Sequence, residues 1–218
     1  MSCSPIFRYP GKDADVTWDQ RLCIHIGECG RAFGDLFIGG RKPWCQPDLA
    51  TVAEVIDVIE RCPSGALVYE VKDGRTVERP AARNTIAVTY NGPLFARGDL
   101  AIEGAPGDMP GVRFRAALCR CGQSKNKPFC DNSHEVAGFK DSGAVGQRGD
   151  GLKNAEGGKL EIKPQKDGPL QVKGNLTIVA GSGCERWDGV LTWLCRCGHS
   201  KDKPFCDGSH KTAGFKSG

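Results

Sequence analysis

Apolar residues in this chain come in short bursts, interrupted by glycine, proline and charged positions, and several bursts alternate with a period of two. Thr85–Tyr90, Leu100–Ile102, Val112–Leu118, Leu176–Val179 and Val190–Leu194 are rich in β-branched or aromatic residues and are separated by turn residues, so strands are expected there. One segment keeps a different rhythm. Val52, Val55, Ile56 and Ile59 recur at helical spacing, which predicts a helix over about residues 48–61, with Thr51 and Glu54 set as a capping box. Residues 66–72 and 75–78 flank Asp73-Gly74, a hairpin signal. The expected fold class is α+β, with a small α+β region at the N-terminus followed by mostly β structure.

Composition narrows the picture. The 218 residues suit one large domain or two to three small ones. With 39% hydrophobic and 7% aromatic residues, 30 Gly and 13 Pro, the chain is lean for one large core and favours small, turn-rich units held by something besides apolar burial. Thirty basic and 26 acidic residues give a net charge of +4, too balanced to argue for nucleic acid. No apolar run reaches the roughly 18 residues that a membrane span needs. Residues 1–10 lack the apolar core of a secretory signal, so a cytoplasmic location is expected. In a reducing compartment, 12 cysteines point to metal-binding thiolates rather than disulfides.

The cysteines are organised by a duplication. Cys119, Cys121 and Cys130 precede His134, and Cys195, Cys197 and Cys206 precede His210 at the same spacing. An offset of 76 residues aligns 92–140 with 168–216, with about 25 identities in 49 positions and no gap. Two copies are too few for a solenoid and suggest a pseudo-two-fold unit. The expected divisions are residues 1–80, a first repeat at 81–141, a Gly-rich linker or loop at 142–158 and a second repeat at 159–218. Each strand ending at Leu118 or Leu194 delivers a Cys-x-Cys. Pro128 or Pro204 stiffens the loop that brings the third Cys, and Asp131 or Asp207 stands as an N-cap for one helical turn carrying the His. Three thiols and an imidazole within 16 residues can meet at one centre, and zinc and an iron–sulfur cluster both fit that donor set.

The motif Cys-x-Cys-x₂-Ser-x₃-Pro-x-Cys-Asp-x-Ser-His resembles the CDGSH iron–sulfur family, which includes the mitoNEET-like proteins. The second copy has Cys206-Asp-Gly-Ser-His210 in full, and the first has Asn132 in place of Gly. The resemblance implies a [2Fe–2S] cluster in each copy, the Cys-x-Cys pair on one iron and the third Cys with the His on the other. The ligands would be Cys119, Cys121, Cys130 and His134, then Cys195, Cys197, Cys206 and His210. It also implies a family dimer fused into one chain, hence a monomer with an intramolecular pseudo-dimer. Replacing one thiolate by a neutral imidazole makes the site less negative. Its potential should therefore lie above that of plant-type ferredoxins, and the His becomes an acid-labile corner. Lys125, Lys127, Lys201 and Lys203 could offset the remaining charge or simply belong to solvated loops. His199, opposite Gln123, is expected at the surface.

Cys23, Cys29 and Cys62-Pro63 resemble a divergent single-cluster ferredoxin domain, with Ile26 where the middle ligand would stand. Three cysteines suffice for a [3Fe–4S] cluster, and a [4Fe–4S] form would need His25, Cys45 or an exogenous ligand. Cys3, Cys45 and Cys184 are left over, with Cys45 expected as a small buried residue. No P-loop, dinucleotide or Gly-x-Ser-x-Gly pattern appears, so a carrier is expected rather than an enzyme. Its partner would be a redox protein, or an apo-protein accepting a cluster. A zinc-binding interaction module is the third reading.

Overall fold

A computed structural model describes residues 5–32, 34–146, 149, 157–184 and 186–217. The molecule is mostly β, with few helices. Cys3 and residues 147, 148 and 150–156 of the Gly-rich segment lie outside the described residues.

The N-terminal region folds around a three-stranded antiparallel sheet of β1 (Ile6–Tyr9), β2 (Ala14–Asp19) and β3 (Leu67–Val71), in that order. Helix α1 (Val52–Glu60) covers it, burying Val55, Val58 and Ile59 against Val16, Leu67 and Val71. The capping box forms as expected: Glu54 N–H donates to Thr51 Oγ1 at 3.3 Å, and Thr51 N–H donates to Glu54 Oε2 at 2.7 Å. The helix is shorter than expected, because Pro47–Leu49 form a separate 3-10 turn and Ala50 is extended. The expected hairpin at Asp73-Gly74 does not form. The Asp73 carboxylate captures the N–H groups of Arg75 and Thr76, making a side-chain turn in place of the two-residue hairpin turn, and β3 pairs with β2 instead.

The two copies share one seven-stranded sheet. It contains β4 (Thr85–Val88), β5 (Leu94–Arg97), β6 (Asp99–Ile102), β7 (Arg115–Leu118), β8 (Lys159–Pro164), β9 (Leu170–Ala180) and β10 (Arg186–Leu194). Val112 falls in a 3-10 turn, Pro110–Arg113, so the strand before the first Cys-x-Cys starts later than its apolar pattern suggests. β4 runs parallel to β9 with Thr85 opposite Thr177, and β6 runs parallel to β8 with Ala101 opposite Glu161. Shifting either pair by the 76-residue offset gives the other, so each copy lends a strand to its twin. The buried faces merge accordingly. Ile86, Leu94, Leu100, Leu118 and Phe129 share one core with their counterparts Ile162, Leu170, Leu176, Leu194 and Phe205. The described start of the Gly-rich segment is packed, with Val145 in that core and Gly143 O accepting from Gly181 N–H.

The N-terminal region packs on the first copy. Arg115, on β7, reaches into it and donates to the carbonyls of Ile59, Cys62 and Leu67, with a two-pronged ion pair to Glu78 at 2.9 Å. This guanidinium is almost fully buried, and its partners satisfy every donor direction it offers the interior. In the second copy the same position is Leu191, which is exposed.

Candidate metal centres

Each copy builds its site by folding a loop back onto the strand that starts it. Cys119 N–H donates to Pro128 O and Cys130 N–H to Ala117 O, both at 2.8 Å, with Leu118 bridged to Phe129. This ladder sets the third Cys beside the first. The second copy repeats it, with Cys195 N–H to Pro204 O at 2.8 Å and Cys206 N–H to Trp193 O at 2.9 Å. Ser124 Oγ donates to Phe129 O and accepts from Asn126 N–H, closing the loop from inside, as Ser200 does in the other copy. Asp131 accepts from Lys125 N–H and Ser133 N–H, so it clamps the loop to the following turn. That turn is α2 (Ser133–Val136), whose N-cap position falls on Asn132 rather than on Asp131. Asn132 is left-handed at φ 68°, and Gly208 at φ 87°, so the Asn keeps the backbone shape its Gly counterpart uses.

The donors come in pairs. Cys119 and Cys121 sulfurs are 3.8 Å apart, and Cys130 Sγ lies 3.4 Å from His134 Nδ1. The second copy gives 3.7 Å for Cys195 and Cys197 and 3.4 Å for Cys206 and His210. Among the described residues no three thiol, imidazole or carboxylate groups converge as one metal ion requires. Backbone N–H groups of Gln123, Asn132, His199 and Gly208 each point at a site sulfur at 3.4 Å. Within each Cys-x-Cys the two thiols are coupled: the hydrogen bond between them lowers one (Cys119, Cys197) and raises the other (Cys121, Cys195). Burial pushes Cys130 up to about 12, raises Cys206, and lowers His134, favouring its neutral form.

The N-terminal candidates meet at one cavity of about 410 Å³, lined by Cys23, His25, Ile26, Cys29 and Cys62 among others. His25 adopts a left-handed backbone, and its Nδ1 lies 3.9 Å from Cys23 Sγ. Cys62 Sγ is 3.6 Å from Ser64 Oγ. Cys45 is not at this cavity; it is buried in the core under α1, and burial raises its thiol to about 12. Cys184 is exposed and rests on Ser182 O.

Residues 91–135 and 167–211 match the model of the iron-binding zinc finger of CDGSH type, and residues 9–72 match that of a divergent 4Fe–4S mono-cluster domain. The uncharacterized protein YjdI of Escherichia coli K12 is 48% identical over 64 residues, which is 29% of this chain and 84% of that protein. YjdI of Escherichia coli O157:H7 matches equally. This chain belongs to the CDGSH iron–sulfur family, with a divergent single-cluster ferredoxin-like domain before its two CDGSH repeats.

Several residues that shape the CDGSH loops escaped the sequence reading. Arg120, between the first two cysteines, is fully buried, pairs with Asp141, donates to Gly92 O and Thr89 O, and lies over Phe139. Arg196 repeats this with Gly168 O, Gln165 O and Phe215, while Ser217 stands where Asp141 does. Their signal was available, since Cys-Arg-Cys recurs in both copies. Lys127 and Lys203 are partly buried and tie back to Ser124 O and Ser200 O, so they brace the loops. Lys125 and Lys201 are exposed, as is His199.

Proposed function

We infer that this protein is a one-electron carrier holding two [2Fe–2S] clusters, at Cys119, Cys121, Cys130 and His134 and at Cys195, Cys197, Cys206 and His210, and a third cluster at Cys23, Cys29 and Cys62. The observation that carries this reading is the pairing of donors, two and two, at matching distances in both copies. A diiron core takes two ligands per iron, whereas structural zinc wants all four donors around one point. The donor chemistry fits as well, because buried thiolates facing backbone N–H groups need a cationic centre to offset their desolvation.

A bound cluster would supply a reversible one-electron couple. The chain's own residues hold it and set its environment. Cys119, Cys121, Cys195 and Cys197 bury one side of each site, N–H···S bonds stabilise sulfur charge, and the imidazoles leave each site less negative than four thiolates would. The reciprocal strand loan supports a pseudo-two-fold unit acting as a monomer. The divisions at 1–80, 81–141, 142–158 and 159–218 belong to the same reading, as do a cytoplasmic setting, a redox-protein partner and the absence of enzymatic turnover. Three cysteines favour [3Fe–4S] at the N-terminus. The 4Fe–4S description of the matching domain, and His25 on the same cavity, support [4Fe–4S] as the second form.

One feature favours a second role, donation of a cluster to an apo-protein. In each site the Cys-x-Cys pair is buried while the His is partly exposed, so the weakest ligand faces solvent. Anaerobic iron and sulfide analysis with electron paramagnetic resonance tests the reading. About seven irons match two diiron centres plus [3Fe–4S], and about eight match the cubane. A colourless, sulfide-free protein would leave only the zinc module.

A further inference from the structure

Between residues 118 and 134 the two ligand loops differ at three positions: Gln123 against His199, Asn126 against Asp202, and Asn132 against Gly208. Two of these three donate hydrogen bonds to the N-terminal domain. Asn126 Nδ2 donates to Arg21 O at 2.8 Å, and Asn132 Nδ2 donates to Ile24 O at 2.6 Å. Ile24 follows Cys23 directly, and its side chain packs with Ala117 and Cys130 in a small buried cluster. The Asn132 N–H donates to Cys130 Sγ at 3.4 Å. A bonded path therefore runs from the Cys23 sulfur through the Ile24 carbonyl, across one hydrogen bond to the Asn132 side-chain amide, along that side chain to its backbone N–H, and across a second hydrogen bond to the Cys130 sulfur. In the second copy Gly208 has no side chain to build such a path, and Trp193 replaces Ala117 with an exposed ring.

We propose that Asn132, supported by Asn126, is the junction through which a single electron passes between the N-terminal site and the first Cys₃His site, making the chain a relay that enters at one copy only. This rests on the iron–sulfur reading of both sites. One electron leaves the N-terminal centre, which is oxidised by one, and enters the first diiron centre, which is reduced by one; no bond or proton changes hands. An external one-electron reductant refills the N-terminal centre. Asn132 is a positioning residue: it holds the Cys23 loop against the Cys130 thiolate and supplies the connecting hydrogen bonds. It also accounts for the departure from the full motif in the first copy, since Gly would give the same turn without the amide.

The test uses the full-length protein with its clusters assembled anaerobically, and dithionite as reductant. Asn132→Gly gives the first loop the second copy's residue. Asn132→Asp keeps a side chain that tolerates the left-handed backbone but replaces the N–H donor by an acceptor facing a carbonyl. Both variants are expected to retain wild-type iron and sulfide; Asn132→Gly should leave the midpoint potentials unchanged, whereas the added carboxylate of Asn132→Asp should lower that of the first diiron site. Both should slow the passage of the electron to the first diiron site several-fold in rapid-freeze paramagnetic resonance, because a step through a hydrogen bond is replaced by a jump through space. The spin–spin broadening between these two centres should weaken with it. Gly208→Asn, in the second loop, should change neither. Transfer at the wild-type rate in either Asn132 variant, or wild-type signals without mutual broadening, overturns the proposal while leaving the iron–sulfur reading intact. Wild-type protein without sulfide or visible absorption overturns that reading itself.

Discussion

Gly122 and Gly198 each follow a Cys-x-Cys, at φ 81° and 84°, and each faces the other copy. A Cβ on Gly122 would lie 2.6 Å from Cys197 O, and one on Gly198 would lie 2.8 Å from Cys121 O. Gly122→Ala therefore incurs two costs. Holding an L-residue in the left-handed region costs about 1–2 kcal/mol. Relieving an overlap with backbone, which cannot rotate away as a side chain can, adds about 1–3 kcal/mol. The expected loss is about 2–5 kcal/mol. Gly104→Ala separates the two, because Gly104 has φ 78° and open space around its missing Cβ, so it bears the conformational cost alone. Denaturant titrations of wild type and both variants, followed by far-ultraviolet circular dichroism at equal iron content, give the difference. Gly122→Ala combined with Gly198→Ala should cost less than the sum, since the first substitution already opens the seam. Equal losses for Gly122→Ala and Gly104→Ala would refute the idea that the two ligand turns abut.

Arg115→Leu, which imports the residue of the second copy, should destabilise by about 3–5 kcal/mol because it strands Glu78 in a buried setting. Limited proteolysis should then release the N-terminal domain, and iron content should fall at the site holding Cys62. His134→Cys or His210→Cys should lower the potential of its site and slow acid loss of iron; voltammetry without a downward shift would count against an imidazole ligand. Asp15 accepts from Lys72, Gly11 and Arg8, and the Lys72 bond leads in holding its carboxyl below the ordinary range. A depressed folded value means that this contribution is complete above the unfolded value of about 3.9 and is lost as pH falls through the folded one. Asp15→Asn should therefore flatten the acid side of the stability profile while leaving its slope near neutrality unchanged.

Local chemistry was legible in the chain. Thr51 and Glu54 announced the start of α1, and the recurrence of Cys-x-Cys and Cys-Asp-x-Ser-His located both paired sites and the loops that form them. Long-range pairing was not. Nothing in Thr85–Val88 distinguishes a strand that joins its own repeat from one that also pairs with the other, because both use the same alternation. β1 and β2 passed unnoticed because Arg8, Asp15 and Asp19 interrupt their apolar character; Asp15 and Asp19 are buried in ion pairs that no periodicity reveals. Arg115 misleads for the same reason, as a charge at the centre of an interface. The Asp73-Gly74 signal failed because the type I′ hairpin turn that Asp-Gly favours needs left-handed angles at both residues, and only Gly74 adopts one.

The strand loan between copies has a consequence for how the molecule can be divided. A chain cut within 142–158 would leave two fragments, each with an unfilled groove at a sheet edge where its twin's strand belongs. Such fragments are complementary templates and should reassemble in trans when mixed, the intact connection serving mainly to raise their effective concentration. Either fragment alone would instead recruit a second copy of itself.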